Sequence, residues 1–460
     1  MNFNPITIPL AYCAKVGGGY ELRVAKLSAD CKTATMEQIG VAEKDTFQGE
    51  DPSWAPERKG YMKRFLLCII LLFATICVFA QGGIVVTADA KNANPTLIFT
   101  GGLSDQVLSA KILSDFQHCD WFNVLKSGSA TYHVSAKGNL QDFTVTISNS
   151  AGVAMHSIPI KGFKDVDAAA HTAIDMVLNR LFGVQGICRS KIVFSAYTSP
   201  KNRDIYVCDF DGSNIKRITT LNTLCVHPVW APDGKSVIFS FYKGNSVNLV
   251  QHNFELGPRL LTKRGGVNGI GSLSPDGKTL ATILARNNQV DLYVRPTESD
   301  DSKFVRLTSG KPLESSPCWS PDGKNLCFVS DGANGRPVLF MADLAGSKPT
   351  EISGLVGSER VSPSWSSDNK IAYCAKVGSE YELRVAELSA DCKSAKMEKI
   401  GVEGKDTFPG EDPSWAPDNR HVVLTMKDGL YMIDTKLGAK YKLVSGERKL
   451  GQAEWSPILK

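Results

Sequence analysis

The sequence lacks the short motifs that carry most enzymatic chemistry. It has no GxSxG turn to present a nucleophilic serine and no HExxH pair to hold a catalytic metal. Its 7 histidines are scattered, with none paired at metal-ligand spacing. Its 12 cysteines include no CxxC pair, so neither a zinc knuckle nor a dithiol redox motif is indicated. Most cysteines fall inside strand-like segments, where small buried thiols are common; no disulfide pairing is assigned. The formal charge of +5 is modest, and no basic run is interleaved with aromatics, which leaves nucleic-acid binding without support. Low-complexity tracts are absent as well. No catalytic residue, cofactor or metal ligand is therefore expected.

What the chain does have is a repeated turn. It reads WAPDGK at 230–235, SPDGK at 274–278, WSPDGK at 319–324, WSSDNK at 365–370 and WAPDNR at 415–420, with a truncated EWSP at 454–457. The copies recur every ~40–50 residues, the period of a β-propeller blade. Within the turn Pro presets φ, Asp accepts local backbone hydrogen bonds, and Gly or Asn takes a positive φ. Alternating, β-branched strands follow each copy, as in SVIFSF, KTLATIL, NLCFVS and KIAYCAK. The preceding Trp is large and rigid enough to fill the wedge between blades.

The two ends of the array are complementary. The first repeat opens at KIVFSAY, 191–197, with no turn before it, and the last stops at EWSP with no strand after it. Joining them makes a sixth regular repeat and protects the sheet edges that an open stack would expose. The expected fold is mainly β: a six-bladed propeller over 187–460, preceded by a small α/β domain over 81–186. In that domain TLIFTG and IVVTADA read as strands, TYHVSAKG and FTVTISN as a hairpin, and SIPIKG as a third strand. Ser104-Asp105 opens an apolar-periodic helix near 107–116, and 166–182 is a second helix carrying His171, read as a structural histidine.

Residues 62–81, MKRFLLCIILLFATICVFAQ, match a secretory signal with a small residue at the expected cut after Ala80. Residues 1–61 are unusual. Positions 10–56 repeat 371–417 with about four in five identical. Separate blades share little beyond the turn, so this is a recent partial duplication. We expect the native start at Met62, with 1–61 a remnant that has no place in a closed ring.

A signal, a small α/β domain, WSPDGK blades and a terminal WSPIL together resemble the TolB family across 62–460. The resemblance implies a non-catalytic periplasmic scaffold of the Tol-Pal envelope system. It implies a Pal-like lipoprotein bound at the propeller mouth and a TolA-like inner-membrane protein bound through the mature N-terminus. Pal contacts map onto Val267, Asn268, Ile270, Ser315 and Ser316, and the TolA-type segment onto 81–94, including Gln81 and Ile84. Family members carry His where this chain has Val267 and Glu where it has Ser316.

The segments before each turn should start at one mouth of the channel. Glu314, Arg360, Glu411 and Asp412 therefore join the candidate partner-binding residues. The acidic ones there, with Glu454, are expected to be solvated charges. The alternative function is a channel that binds or processes a small molecule or saccharide. Convergent polar side chains deep in the channel, with perturbed titration, would favour it.

Overall fold

The computed structural model describes residues 8–16, 19–27, 34–37 and 93–459, except 245, 263–267, 287–288, 333, 403–406 and 447–448. The 62–80 signal and the IVVTADA strand lie outside the described residues. The chain divides into two compact units, Met1–Val85 and Val86–Lys460. In the first, Ile8–Val16, Gly19–Leu27 and Ala34–Glu37 form a three-stranded antiparallel sheet. Its register repeats that of the duplicated region: Val24 faces Glu37 as Val385 faces Glu398.

The second unit contains six four-stranded antiparallel sheets, the blades of a propeller. Each regular blade runs outward in sequence order, as in Cys225–Trp230, Ser236–Lys243, Ser246–Asn253 and Gly257–Leu260. The exception is blade one. Its innermost strand is Leu450–Trp455, paired antiparallel with Lys191–Ser199 so that Trp455 faces Ile192. The late strand closes the ring, as the complementary ends of the array require.

The turn chemistry is as the repeats imply. The Asp of the turn caps the backbone two residues on: Asp233 takes the Lys235 N–H at 2.9 Å, Asp276 that of Lys278 at 3.0 Å, and Asp322 that of Lys324 at 3.1 Å. The corner residue has a positive φ in all five full copies, from Gly234 at 67° to Asn419 at 58°. Burying the strand faces between blades supplies the cores, such as Trp319 with Ile283, Leu292 and Phe328.

Ahead of the ring lies a five-stranded mixed sheet in the order Asn123–Leu125, Thr96–Thr100, Tyr132–Asn139, Asp142–Asn149, Ala154–Lys161. Helices α1 (Gln106–His118) and α2 (Val166–Phe182) pack together and share its core. Asp105 caps α1 through the N–H groups of Val107 and Leu108, and Gly183 ends α2 at φ 68°. His171 is buried and holds Asp115 on α1 at 2.8 Å, a structural role.

Beyond α2 the chain is tied down before it enters blade one. Asp175 accepts the N–H groups of Cys188 and Arg189 and the Arg189 Nε. A side chain at Gly186 would collide with that same carboxylate at 2.1 Å, so only glycine fits. The short strand at 123–125 was not expressed in the sequence as a strand pattern.

Candidate functional site: the propeller channel and its mouth

The six innermost strands converge on the axis, and each carries a bulge near its middle. The bulged residue stands three positions before the turn's Trp or Leu. Around the ring these are His227, Ile270, Ser316, Ser362, Asp412 and Gln452, all lining a channel of about 320 Å³. Five of them have left-handed backbones: His227 53°, Ser316 49°, Ser362 52°, Asp412 53° and Gln452 41°. A non-glycine residue held there costs about 1–2 kcal/mol, and such strain collects where side chains must be aimed. The sixth, the β-branched Ile270, would bear it worst. It sits between Gly269 and Gly271 and is absent from the positive-φ set.

One position before each Trp or Leu a second ring forms: Val229, Ser272, Cys318, Ser364, Ser414 and Glu454. These side chains lock blade to blade. Ser364 Oγ accepts the Trp415 N–H at 3.1 Å and Ser414 Oγ accepts that of Trp455 at 3.0 Å. Glu454 does the same for the Trp230 N–H across the closing seam. Burial pushes the Glu454 carboxyl up to about 8, so it is a neutral acid at pH 7. Val229 has no polar atom to offer blade three.

The candidate residues separate into four groups, of which Glu314 and Arg360 are the last. Ile270, Ser316 and Asp412 come together in the channel, where Asp412 accepts the Ser362 hydroxyl at 2.8 Å. Ser315 is half-buried opposite Val329, Glu411 is exposed opposite Thr425, and Asn268 pairs with Leu284 at the corresponding strand start. Burial, and Asp412 beside it, raise the Glu411 carboxyl above its ordinary value. Val267, Gln81 and Ile84 lie outside the described residues.

Two expectations are corrected. Glu314 is not a solvated charge: it is 6% exposed, and burial pushes it up to about 7. Glu454 is half-buried and lines the channel, with Oε2 taken up by the Trp230 N–H of the next blade. Arg360 is turned to the preceding blade, donating to Glu351 Oε1 at 2.5 Å and to the Leu355 carbonyl at 3.4 Å.

His227, Ser362 and Gln452 were not singled out in the sequence. Their shared place one residue before the Pro (or Ala) of each inner strand is the signal that finds them. Burial holds the His227 imidazole below its usual value, so it is neutral at pH 7. Arg203 stands nearby, lowered by burial, with its Nε buried and unpartnered.

The architecture is that of a closed propeller with an α/β module attached, whose channel is ringed by aimed polar groups. A TolB beta propeller domain model matches residues 178–459, and the chain belongs to that family. Among curated proteins, a TolB homolog of Chlorobium chlorochromatii is 30% identical over 35% of this chain and 36% of its own length. A TolB homolog of Chlorobaculum tepidum is 31% identical over 28% of this chain and 29% of its own. The matched stretches thus span about a third of those relatives. The crystal structure of TolB from Acinetobacter baumannii superposes with a TM-score of 0.68 at 18% identity, covering 80% of this chain and 98% of that one. That likeness establishes the fold.

Proposed function

We propose that this chain is the non-catalytic propeller scaffold of a Tol-Pal-type system, exported to the periplasm by the signal at 62–80. A Pal-like lipoprotein docks at the channel mouth, and a TolA-like protein binds the segment 81–94. The observation that carries the reading is the ring of bulged, left-handed residues. It fixes His227, Ser316, Ser362, Asp412 and Gln452 before any partner arrives, so little ordering entropy is lost on docking. If the family resemblance holds at Val267 and Ser316, where it implies His and Glu, the partner surface is altered to match.

Titrating the exported chain with the soluble domain of its Pal-like lipoprotein tests this. Asp412→Lys should weaken binding at least tenfold; unchanged affinity moves the site off the mouth. Deleting 81–94 should abolish TolA-type binding and spare Pal-type binding. Charge reversal at Glu314 or Arg360 is a poor probe, because Glu314 is buried and Arg360 is committed to Glu351 of the preceding blade.

A second reading has one observation in its favour. Polar groups with shifted titration do converge in the channel, His227 and Glu454 among them. The volume of about 320 Å³ suits a small polar ligand at the lower end of binding-pocket sizes. Saccharide fragments that shift His227 in an NMR titration would support it, and silence across such a panel would count against it.

A further inference from the structure

The seam between the α/β module and blade six buries a cluster of charge that docking at the channel does not use. Asp120 follows helix α1. His421 opens the strand His421–Met426, and Asp434 ends the strand Gly429–Asp434 directly opposite it. Asp418 is the turn Asp of this blade. All four are buried, with His421 at 0% exposed and Asp120 at 5%.

Each of two groups has every atom but one already held. His421 Nδ1 is fixed by Asp418 Oδ2 at 2.6 Å, and Asp418 is itself fixed by the Trp121 indole N–H at 3.0 Å. Asp120 Oδ1 accepts the Tyr441 hydroxyl at 2.7 Å and the Asn94 amide at 3.2 Å. What remains is His421 Nε2 and Asp120 Oδ2. Both are buried with no hydrogen-bond partner, and they lie 3.5 Å apart. Asp120, His421 and Asp434 each place one ligand atom so that the three lie within 4.8 Å of one another.

That spacing has a natural explanation. Zinc sits ~2.0–2.2 Å from imidazole nitrogen and carboxylate oxygen, and a tetrahedral angle then sets the two ligand atoms about 3.3–3.5 Å apart. A histidine whose other nitrogen donates to a carboxylate is the usual outer arrangement of a metal ligand. Charge agrees. Three buried carboxylates, Asp120, Asp418 and Asp434, meet one guanidinium, Arg420, and one imidazole, so negative charge is in excess whichever form the imidazole takes. A bound cation lessens that excess.

We propose that Asp120, His421 and Asp434 hold a divalent transition-metal ion, with zinc as the first choice, which staples the α/β module to blade six. Asp434 shares its carboxylate with Arg420, and Tyr441, Asn94 and Asp418 orient the ligands. The competing occupant is a proton on His421 Nε2. Because the site is closed, the metal enters as the chain folds.

The test refolds the full chain in chelator or with excess zinc, removes free metal by gel filtration, and measures zinc content and Tm. One zinc per chain and a Tm raised by several degrees are expected. Asp120→Asn, which keeps the shape, should lower zinc affinity more than tenfold. Tyr441→Phe should lower it roughly tenfold by loosening Asp120, and Asp412→Asn in the channel should leave it unchanged. X-ray absorption on the wild-type protein should show one imidazole among oxygen ligands, a readout that needs no variant. Zinc content no higher than in the chelated control is the proton-only outcome and overturns the proposal. So does undiminished affinity in Asp120→Asn, or a spectrum without histidine scattering.

Discussion

The seams between blades and the seam between the module and blade six are built on opposite principles. Blade seams are apolar wedges, repeated with small variations and pinned near the axis by single hydrogen bonds such as Ser414 to Trp455. The module seam is a unique polar knot. There Arg420 lies 4.6 Å from the Trp121 ring centroid and donates to Asp434 and Asn94. Repetition gives a rigid ring that tolerates change at any one wedge. The knot makes a single orientation of the module depend on every one of its members, since a buried charge that loses its partner is costly.

Removing one partner in the knot should have the largest effect. Arg420→Met leaves Asp434 buried without its guanidinium and should cost about 3 kcal/mol in denaturant unfolding. A loss below about 1 kcal/mol would place the module seam on a level with a blade wedge and erase the contrast.

The closing seam lies between the two types, because its pin is a half-buried acid at the channel wall. The Glu454 carboxyl is about 8 in the folded chain against an ordinary 4.5, so the folded form keeps a proton that the unfolded form releases. Stability from this group is therefore full below pH 4.5, falls as pH rises towards 8, and is flat above. Glu314, up to about 7, adds a share of the same sign over a narrower window. Glu454→Gln retains an acceptor for Trp230 and should be more stable than wild type by about 2 kcal/mol at pH 8, with little difference at pH 4. Parallel pH profiles for the two proteins would show that the carboxyl is solvated after all.

An ordinary blade pin should matter least. Ser414→Ala leaves the Trp455 N–H without its acceptor and should cost about 1 kcal/mol in thermal unfolding. A loss as large as that of Arg420→Met would mean that the wedges too are held chiefly by polar contacts.

The ring was legible in the sequence because six copies of one solution were printed along it. The turn named the corner residues, and the unmatched strand at 191–197 named its own partner at 454–457. Within the site, Asp412 could be placed from repeat position, while Ile270 and Ser316 came from the family resemblance. Glu314 and Glu454 could not be read correctly, since whether an acid faces water or is taken up by the blades depends on side-chain direction, which the repeat does not print. The module seam was beyond reach for a different reason. Asp120 and Tyr441 are separated by 321 residues, and nothing periodic links them. Asp418 even looked fully explained as a turn residue, yet it also holds His421.

The strand 450–455 pairs with 191–199 across some 256 positions of chain, as between Ser195 and Gly451. Until that union is made the pore has no wall on one side, and none of its bulges is aimed. Completion of the channel thus waits on the union of strands some 256 positions apart. Trimming from the carboxyl end, or a bulky fusion there, would open blade one and unset the ring of bulges while leaving the other five sheets their own strands.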